Sequence, residues 1–298
     1  DTTRKGIRIG ARRANGLGRQ CRAARGRDRG SRMEIPSFTS DPTYNLAIVV
    51  AFGVAAVAFA ASFFMQTPYG RFADQRFGFS LDPRIGWFLM ELPSWAAFYY
   101  FYFQGPNRYE PFPLFVLFLW TCHYLYRGFL MEALMRVPKG QKSSFALSVV
   151  VIGWIVTTLH GYLNATWVTT LHPNPSWSWF ADPRFVVGAL VYYTAFVANI
   201  HSDHIQRNLR TKEEVARGER HYRMPVGGLY RYVTNASYFT ELVLWTGFAI
   251  LTWGPGGIFI VTISAVNLVP RAIATHRWYK ERFPDYPPER KVLIPFVY

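Results

Sequence analysis

The chain has 298 residues, of which half are hydrophobic, 18% are aromatic and 17% are charged. An average soluble domain has about 25% charged residues. A soluble chain of this length could bury a large core, so the apolar excess alone does not decide the class, and the arrangement of the apolar runs is more informative. Two cysteines are too few for a disulfide framework or a cysteine-based metal site, and no His or Cys cluster predicts a metal ligand set.

The N-terminal segment, residues 1–32, holds eleven basic and two acidic residues, so it accounts for +9 of the formal net charge of +15. It has almost no apolar periodicity and no apolar core of a signal peptide. We interpret it as a disordered basic leader, or as translated sequence upstream of a true start at Met33. No nucleic-acid-binding fold follows it, so nucleic acid is not an expected partner. Residues 33–298 form the predicted membrane domain.

Seven apolar runs follow, separated by short loops rich in aromatic residues, arginine and proline. Spanning a bilayer takes about 20 mostly apolar residues, and Trp and Tyr mark the two interfaces. The pattern predicts an all-α, polytopic membrane protein with a bundle of seven transmembrane helices. The predicted spans are 44–65, 85–103, 113–131, 145–163, 185–200, 236–253 and 257–275.

Loop charges give an orientation for this bundle. Loops 66–84, 132–144 and 201–235 carry net charges of +1, +2 and +3, and residues 270–298 carry +3. The alternate loops sum to about zero. The positive-inside rule therefore predicts an N-terminus outside and a C-terminus in the cytoplasm. The host membrane, a bacterial inner membrane or the endoplasmic reticulum, stays open.

Span two contains Glu91, followed by Pro93. A carboxylate inside a membrane costs several kcal/mol unless it is paired, protonated or facing a cavity. One interpretation is a buried, protonated acid that donates a hydrogen bond or a proton, and the alternative is a structural bond between helices. Pro93 would loosen the backbone and help to open a cavity.

Polar side chains also end spans three and five. Tyr124 and Arg127 are three residues apart and share a helix face, although Tyr124 alone would suit an interfacial tyrosine equally well. A polar stripe follows at spacings of 4, 8 and 11 residues, which places its members on one helix face. It suits a nucleotide ribose and phosphates, or simply a solvated helix extension. The stripe consists of Asn199, Asp203, Arg207 and Arg210.

The loop before span six contains Tyr222, Arg223 and the pair Gly227-Gly228. Adjacent glycines permit close approach of a ligand to the backbone. The loop is not a GxGxxG fingerprint and follows no strand, so no Rossmann domain is predicted. Span six adds Glu241, a second intramembrane carboxylate.

Taken together, these segments resemble the steroid 5α-reductase family over about residues 67–298. The most specific parts are the Asn199-Ile200-His201-Ser202-Asp203 run and the basic, aromatic tail from His276 to Tyr298. The other matching segments are Tyr69-Gly70-Arg71, Glu91-Leu92-Pro93-Ser94, His123-Tyr124 with Arg127, Tyr222-Arg223 with Pro225, Gly227-Gly228-Leu229 and Arg271.

The resemblance implies a seven-helix membrane enzyme that uses NADPH to reduce the C4–C5 double bond of 3-oxo-Δ4 steroids. By the same resemblance, Glu91 and Tyr124 would be catalytic and would hydrogen-bond the C3 carbonyl. We expect a monomer, with a steroid or other lipid-like enone as substrate, surrounded by membrane lipid. The implied cofactor-binding residues are Arg71, Arg127, Asn199, Asp203, Arg210, Tyr222, Arg223, Asn235, Ser237, Trp245, Arg271, His276 and Tyr279.

Three positions depart from the family pattern. Met90 stands where the animal enzymes typically have Gln, Ser237 stands at the position of an Asn, and Thr275 replaces a His beside His276. These departures bear on the substrate rather than on the reaction class.

Three other functions stay open. A same-fold reductase could act on trans-2-enoyl-CoA or a polyprenol. An isoprenylcysteine methyltransferase would share the basic, aromatic tail but would use S-adenosylmethionine and would not need Glu91 with Tyr124. A small transporter could use Glu91 and Glu241 as proton carriers, but it would not need the polar stripe.

Overall fold

The computed structural model describes residues 37–65, 67–72, 78–138, 145–219 and 221–298, without the side chain of Arg71. The predicted leader, residues 1–32, lies outside the described residues. Nine helices occur in the described part of the chain: α1 Pro42–Ser62, α2 Pro83–Tyr102, α3 Pro111–Leu125, α4 Met131–Leu134, α5 Leu147–Thr166, α6 Pro183–Arg207, α7 Lys212–Arg217, α8 Ala236–Thr252 and α9 Pro255–Arg282. A two-residue strand β1, Ser80–Leu81, pairs antiparallel with β2, Phe145–Ala146.

A long helix forms at each of the seven predicted spans, so the all-α prediction is confirmed. Five helical segments are long and apolar enough to cross a membrane: Pro42–Ser62, Pro111–Leu134, Leu147–Leu171, Pro183–Arg207 and Pro255–Arg282. The chain is therefore a multi-pass membrane protein. The α2 and α8 helices are not among the five, so the count of seven spans and the orientation of the termini stay predictions.

Two helices run well past their predicted ends. The α6 helix ends at Arg207 and α9 at Arg282, each seven residues beyond the apolar run. The predicted polar stripe is therefore helical through Asn199, Asp203 and Arg207, but Arg210 lies after the helix end. The prediction that Arg210 lies on the same helix face is wrong, because the helix ends at Arg207 and the chain turns at Asn208.

Three of the long helices begin at the dipeptide Asp-Pro. The carboxylates of Asp41, Asp82 and Asp182 each accept a hydrogen bond from a backbone N–H of the first helical turn, and the following proline occupies the first helical position. Both features favour a helix start, since proline lacks an N–H that would otherwise be unsatisfied there. Local sequence thus determines where α1, α2 and α6 begin.

The α6 and α8 helices pack closely because glycines face each other. A Cβ atom added at Gly188 would lie 2.8 Å from the carbonyl oxygen of Gly247, and one added at Gly247 would lie 2.9 Å from the carbonyl oxygen of Gly188. Neither glycine tolerates a side chain without moving a backbone. This close packing brings the polar end of α6 against the start of α8.

The α2 helix continues through Pro93 without a break. Proline cannot donate to the carbonyl four residues earlier, which is that of Leu89. The indole Nε1 of Trp154 on α5 donates to this carbonyl oxygen over 2.7 Å. A neighbouring helix therefore satisfies the backbone group that Pro93 frees, as buried backbone in a membrane requires.

Candidate active site

A cavity of about 570 Å³ lies among α1, α2, α3, α5, α8 and α9. Glu91 and Tyr124, the two predicted catalytic residues, both line it, and so do Arg127 and Trp245. Most of the wall is apolar, with aliphatic and aromatic side chains from all six helices. A cavity of this volume is within the usual range for small-ligand sites, which are mainly apolar with a few polar groups.

The end of α3 widens at the point where it enters the site. Residues Tyr126–Leu130 form one π-helical turn, and Gly128 lies within it. A Cβ atom at Gly128 would lie 3.8 Å from the Cβ of Glu91, so this turn packs directly against α2. Single π-helical turns inside α-helices occur often at functional sites. This one carries Arg127 to the cavity wall.

Arg127 is the centre of an acidic cluster. One guanidinium nitrogen lies 3.3 Å from Oδ2 of Asp203, and Nε lies 3.9 Å from Oε2 of Glu241. Glu91 and Glu132 also interact electrostatically with it. Neither Glu91 nor Glu132 makes a side-chain hydrogen bond or ion pair with another described residue. Of the four carboxyls, Glu91 and Glu241 line the cavity.

Glu241 also connects the indole and amide groups of the site. Trp245 Nε1 donates to Oε1 of Glu241 over 2.9 Å, and Asn199 Nδ2 donates to Oε2 over 3.3 Å. The sequence predicted Trp245 and Asn199 as cofactor ligands but considered Glu241 only as a proton carrier. Its spacing of four residues from Trp245 on one helix could have indicated their pairing.

Several polar residues in the cavity wall were not predicted as site residues, among them Ser94 and His160. Ser94 and His160 both line the cavity and are buried, and neither Oγ of Ser94 nor Nε2 of His160 has a hydrogen-bond partner among the described residues. The amide nitrogen of Asn164 donates to the backbone oxygen of His160 and lies 3.0 Å from its Nδ1. Since an amide nitrogen only donates, Nδ1 accepts and Nε2 carries the proton. His160 therefore presents a donor to the site.

A second pocket, of about 230 Å³, lies at the ends of α6 and α9. Asp203 lines it, so the ion pair between Arg127 and Asp203 separates the two pockets. Of the predicted cofactor residues, this pocket brings together Asp203, Arg210, Tyr222, Arg223 and Tyr279. Its wall contains four arginines, Arg136, Arg207, Arg210 and Arg223.

Arg223 and Arg210 differ in whether a carboxylate of the protein pairs with them. Arg223 forms an ion pair with the buried carboxylate of Glu214, and this contact and backbone hydrogen bonding hold the pKa of Glu214 well below its usual range. Arg210 lies over the ring of Tyr222 at 5.7 Å, and its Nε is buried without a hydrogen-bond partner among the described residues. A buried, unpartnered guanidinium N–H suits an anionic ligand oxygen.

Comparison with known proteins identifies the family. A family model described as 3-oxo-5-alpha-steroid 4-dehydrogenase matches residues 143–298. The chain is 37% identical over 239 residues to 3-oxo-5-alpha-steroid 4-dehydrogenase 1 of Rattus norvegicus, covering 78% of this chain and 86% of that protein. This chain belongs to the steroid 5α-reductase family.

Relatives from plants and humans extend over a similar length. Steroid 5-alpha-reductase DET2 of Gossypium hirsutum is 31% identical over 265 residues, covering 87% of this chain and 99% of the relative. The human 3-oxo-5-alpha-steroid 4-dehydrogenase 1 is 32% identical over 247 residues, covering 82% and 92%. The predicted resemblance to the steroid 5α-reductase family is therefore confirmed over most of the chain.

Five of the predicted cofactor residues line neither of these two pockets in the described part of the chain. They are Asn199, Asn235, Ser237, Arg271 and His276. Asn199 donates to the carbonyl oxygen of Ser237 and to Thr240, and Asn235 donates to the carbonyl oxygens of Ala272 and Val292. These contacts join α6, α8, α9 and the tail.

The other three also contact protein groups. Arg271 donates to the carbonyl oxygens of Thr67 and Tyr69, and lies 3.7 Å from the ring centroid of Tyr69. The hydroxyl of Ser237 lies 3.0 Å from that of Tyr230, and Nδ1 of His276 lies 3.2 Å from the hydroxyl of Tyr286. Their assignment to the cofactor stays a prediction, as does that of Arg71, whose side chain is outside the described part.

Proposed function

We propose that this protein reduces the C4–C5 double bond of a 3-oxo-Δ4 steroid, with NADPH as the reductant and hydride transfer to C5. The relatives are named for this steroid chemistry. The observation that carries the proposal is that Glu91 and Tyr124, from two different helices, both line a largely apolar cavity inside the bundle. An apolar, membrane-embedded cavity with a few polar groups suits a steroid better than a water-soluble substrate.

The two side chains would act on the C3 carbonyl oxygen. A protonated carboxyl and a phenol each donate one hydrogen bond, and a carbonyl oxygen has two lone pairs to accept them. Reduction at C5 moves negative charge onto this oxygen, so both bonds strengthen as the enolate forms. Donors fixed by packing on α2 and α3 would stabilise that charge without reorganising. Protonation at C4 then completes the product.

Glu91 must carry a proton to serve as a donor, and the charges around it support this. Four carboxyl groups, Glu91, Glu132, Asp203 and Glu241, interact with the single guanidinium of Arg127. One positive charge cannot balance four negative charges in a medium that solvates ions poorly. Asp203 and Glu241 lie closest to the guanidinium. Glu91 and Glu132 have no such pairing among the described residues, and of these two only Glu91 lines the cavity, so it is the carboxyl that could stay neutral and donate to a substrate.

The pocket of four arginines suits the phosphates of NADPH, which supplies the hydride when bound. Arg210 would contact the 2′-phosphate through its buried, unpartnered Nε–H, and Tyr222 and Tyr279 would line the same end of the cofactor. Arg127 and Trp245 would face the nicotinamide end, because both line the larger cavity. Asp203, which lines the smaller pocket and pairs with Arg127, would separate the two ends.

The test is NADPH oxidation by the purified protein in detergent, with testosterone or progesterone and with the product stereochemistry checked. Formation of the 5α-dihydro steroid would support the proposed reaction. Tight NADPH binding without steroid reduction would move the substrate to an enoyl-CoA or a polyprenol, and both should be assayed in parallel. Absence of NADPH binding would overturn the proposal.

A further inference from the structure

The last residues of the chain expose an apolar surface. The exposed fractions are 42% for Ile294, 76% for Phe296 and 73% for Val297. The segment closes on itself, because the amides of Leu293 and Ile294 donate to the carbonyl oxygen of Tyr298 over 2.7 Å and 2.6 Å. We call residues 293–298 the C-terminal turn.

Phe296 has a φ of 65°, in the left-handed region. A bulky residue rarely adopts this conformation, and it costs on the order of 1–3 kcal/mol. The side chain packs at 5.0 Å against the ring of Tyr232, which is itself 43% exposed. The strained backbone therefore holds an aromatic and two aliphatic side chains toward the outside rather than into the protein.

The level of this turn along the bundle follows from its attachment. Asn235 Nδ2 donates to the carbonyl oxygens of Ala272 on α9 and Val292 beside the turn, over 3.0 Å and 2.9 Å. In addition, Thr234 N donates to the carbonyl oxygen of Lys291 over 2.9 Å. The C-terminal turn thus lies beside the first residues of α8 and beside Ala272.

These attachment points are about one bilayer thickness from the opposite interface. The link between α8 and α9 contains Trp253, and the Arg184 guanidinium lies 5.1 Å from its ring, as expected at a membrane surface. At about 1.5 Å per residue, the chain rises about 24 Å from Thr252 to Ala236 and about 26 Å from Pro255 to Ala272. The hydrocarbon core is about 30 Å thick, so Ala236 and Ala272 lie close to its other boundary.

We propose that the C-terminal turn is an interfacial membrane anchor, with Ile294, Phe296 and Val297 inserted at the boundary between headgroups and acyl chains. Its partner is the lipid leaflet on the side where α9 ends. The exposed Arg231 and Lys291 beside the turn suit the polar headgroup layer. A turn of six residues without a helical apolar face could not be recognised as such from hydropathy.

The test is a depth measurement by nitroxide labelling. The variant Val297→Cys, in a background carrying Cys21→Ser and Cys122→Ala, is labelled and reconstituted into phosphatidylcholine vesicles. Accessibility to oxygen, which partitions into lipid, is compared with accessibility to a water-soluble nickel chelate. Leu190→Cys is the bilayer control, because the Leu190 side chain on α6 is 66% exposed on the surface of the bundle. Glu289→Cys, an exposed polar position in the same tail, is the aqueous control.

An oxygen-to-nickel ratio at position 297 that is higher than at 289 and lower than at 190 would support the anchor. A ratio equal to that at 289 would overturn it. Protection from both reagents, with spin–spin broadening between labels, would also overturn it and would assign the surface to a second copy of the chain. Ile294→Cys gives an independent reading if labelling at 297 prevents reconstitution.

Discussion

The large cavity has more carboxyl than guanidinium groups in its wall, and the arginine-lined pocket has more guanidinium than carboxyl groups. The ion pair between Arg127 and Asp203 lies between them. In the cavity wall, two carboxyls, Glu91 and Glu241, accompany the one guanidinium of Arg127, and Glu132 and Asp203 also interact with that guanidinium, so acidic groups are in excess. In the pocket, four arginines line the wall, and Arg210 has a buried Nε–H without a hydrogen-bond partner in the described part of the chain. An excess of acid favours a neutral, proton-donating carboxyl, and an excess of guanidinium favours an anionic ligand.

This difference predicts separable effects of mutations. A change in the cavity should alter turnover while leaving cofactor affinity intact, and a change in the pocket should do the reverse. Residues that hold the two regions together should instead change stability.

Glu91→Gln should lower kcat for steroid reduction by about 10²–10³-fold, which is the usual loss when one donor to a developing oxyanion is weakened or removed. NADPH affinity, measured by fluorescence titration, should stay within about twofold. Glu132→Gln is the matched control, because it changes a carboxyl of the same cluster that does not line the cavity. Unchanged turnover in Glu91→Gln would remove this residue from the reaction.

Tyr124→Phe should lower kcat by about 10²-fold, because it deletes the second donor while keeping the ring packed against Trp120. The control is Tyr126→Phe, two residues along, whose hydroxyl lies 3.4 Å from Asp203 and which does not line the cavity. A greater loss in the control than in Tyr124→Phe would contradict the assignment of the cavity tyrosine.

Arg210→Ala should weaken NADPH binding by about 10–100-fold and NADH binding much less, since a hydrogen bond to a charged group contributes about 1.5–3 kcal/mol. Dissociation constants for both nucleotides are the measurement. Arg217→Ala, which removes an exposed arginine paired with Glu219, provides the control. An equal loss of affinity for NADPH and NADH would show that Arg210 does not contact the 2′-phosphate.

Asn199→Ala should reduce the free energy of unfolding by about 1–3 kcal/mol, because it leaves the buried Thr240 oxygen without its donor and removes the hydrogen bonds that join α6 to α8. The measurement is the melting temperature in detergent together with the NADPH dissociation constant. Thr194→Ala, whose hydroxyl bonds only within its own helix, is the comparison. A weakened cofactor affinity at an unchanged melting temperature would instead make Asn199 a direct ligand.

Glu214→Gln should make the melting temperature fall less steeply as the pH is lowered. The pKa of Glu214 is lowered in the folded protein, first by its bond to Arg223. Its stabilising contribution is therefore present above the unfolded value of about 4.3 and is lost as the pH falls toward the folded value. Melting temperatures measured from pH 5 to 2 should fall less steeply in the variant than in the wild type. The exposed neighbour variant Glu213→Gln should flatten the profile less, because the pKa of Glu213 is also lowered, but chiefly by local hydrogen bonds.

Sequence reasoning located the helices well, because apolar runs are local signals, although it began α1, α2 and α6 two residues late. It singled out Glu91 because a carboxyl is unusual in an apolar run, and the family resemblance added Tyr124. Both line the cavity, and their catalytic role stays a prediction. Sequence reasoning missed Ser94 and His160 as cavity residues and grouped Arg210 with a helix stripe that ends at Arg207. The first error concerns which side chains from different helices meet, and no spacing along one helix contains that information. The second concerns where α6 ends.

The sequence by itself determined a helical, multi-pass membrane protein of the steroid 5α-reductase family, because hydropathy and motif order are properties of the chain alone. Only the tertiary structure decided which polar residues share a pocket. Asn199, Asn235 and Arg271 have the polarity of ligands, yet they bond backbone carbonyls of other segments. Inside a bundle with little water, every buried donor needs an acceptor, and packing decides whether the protein itself provides it.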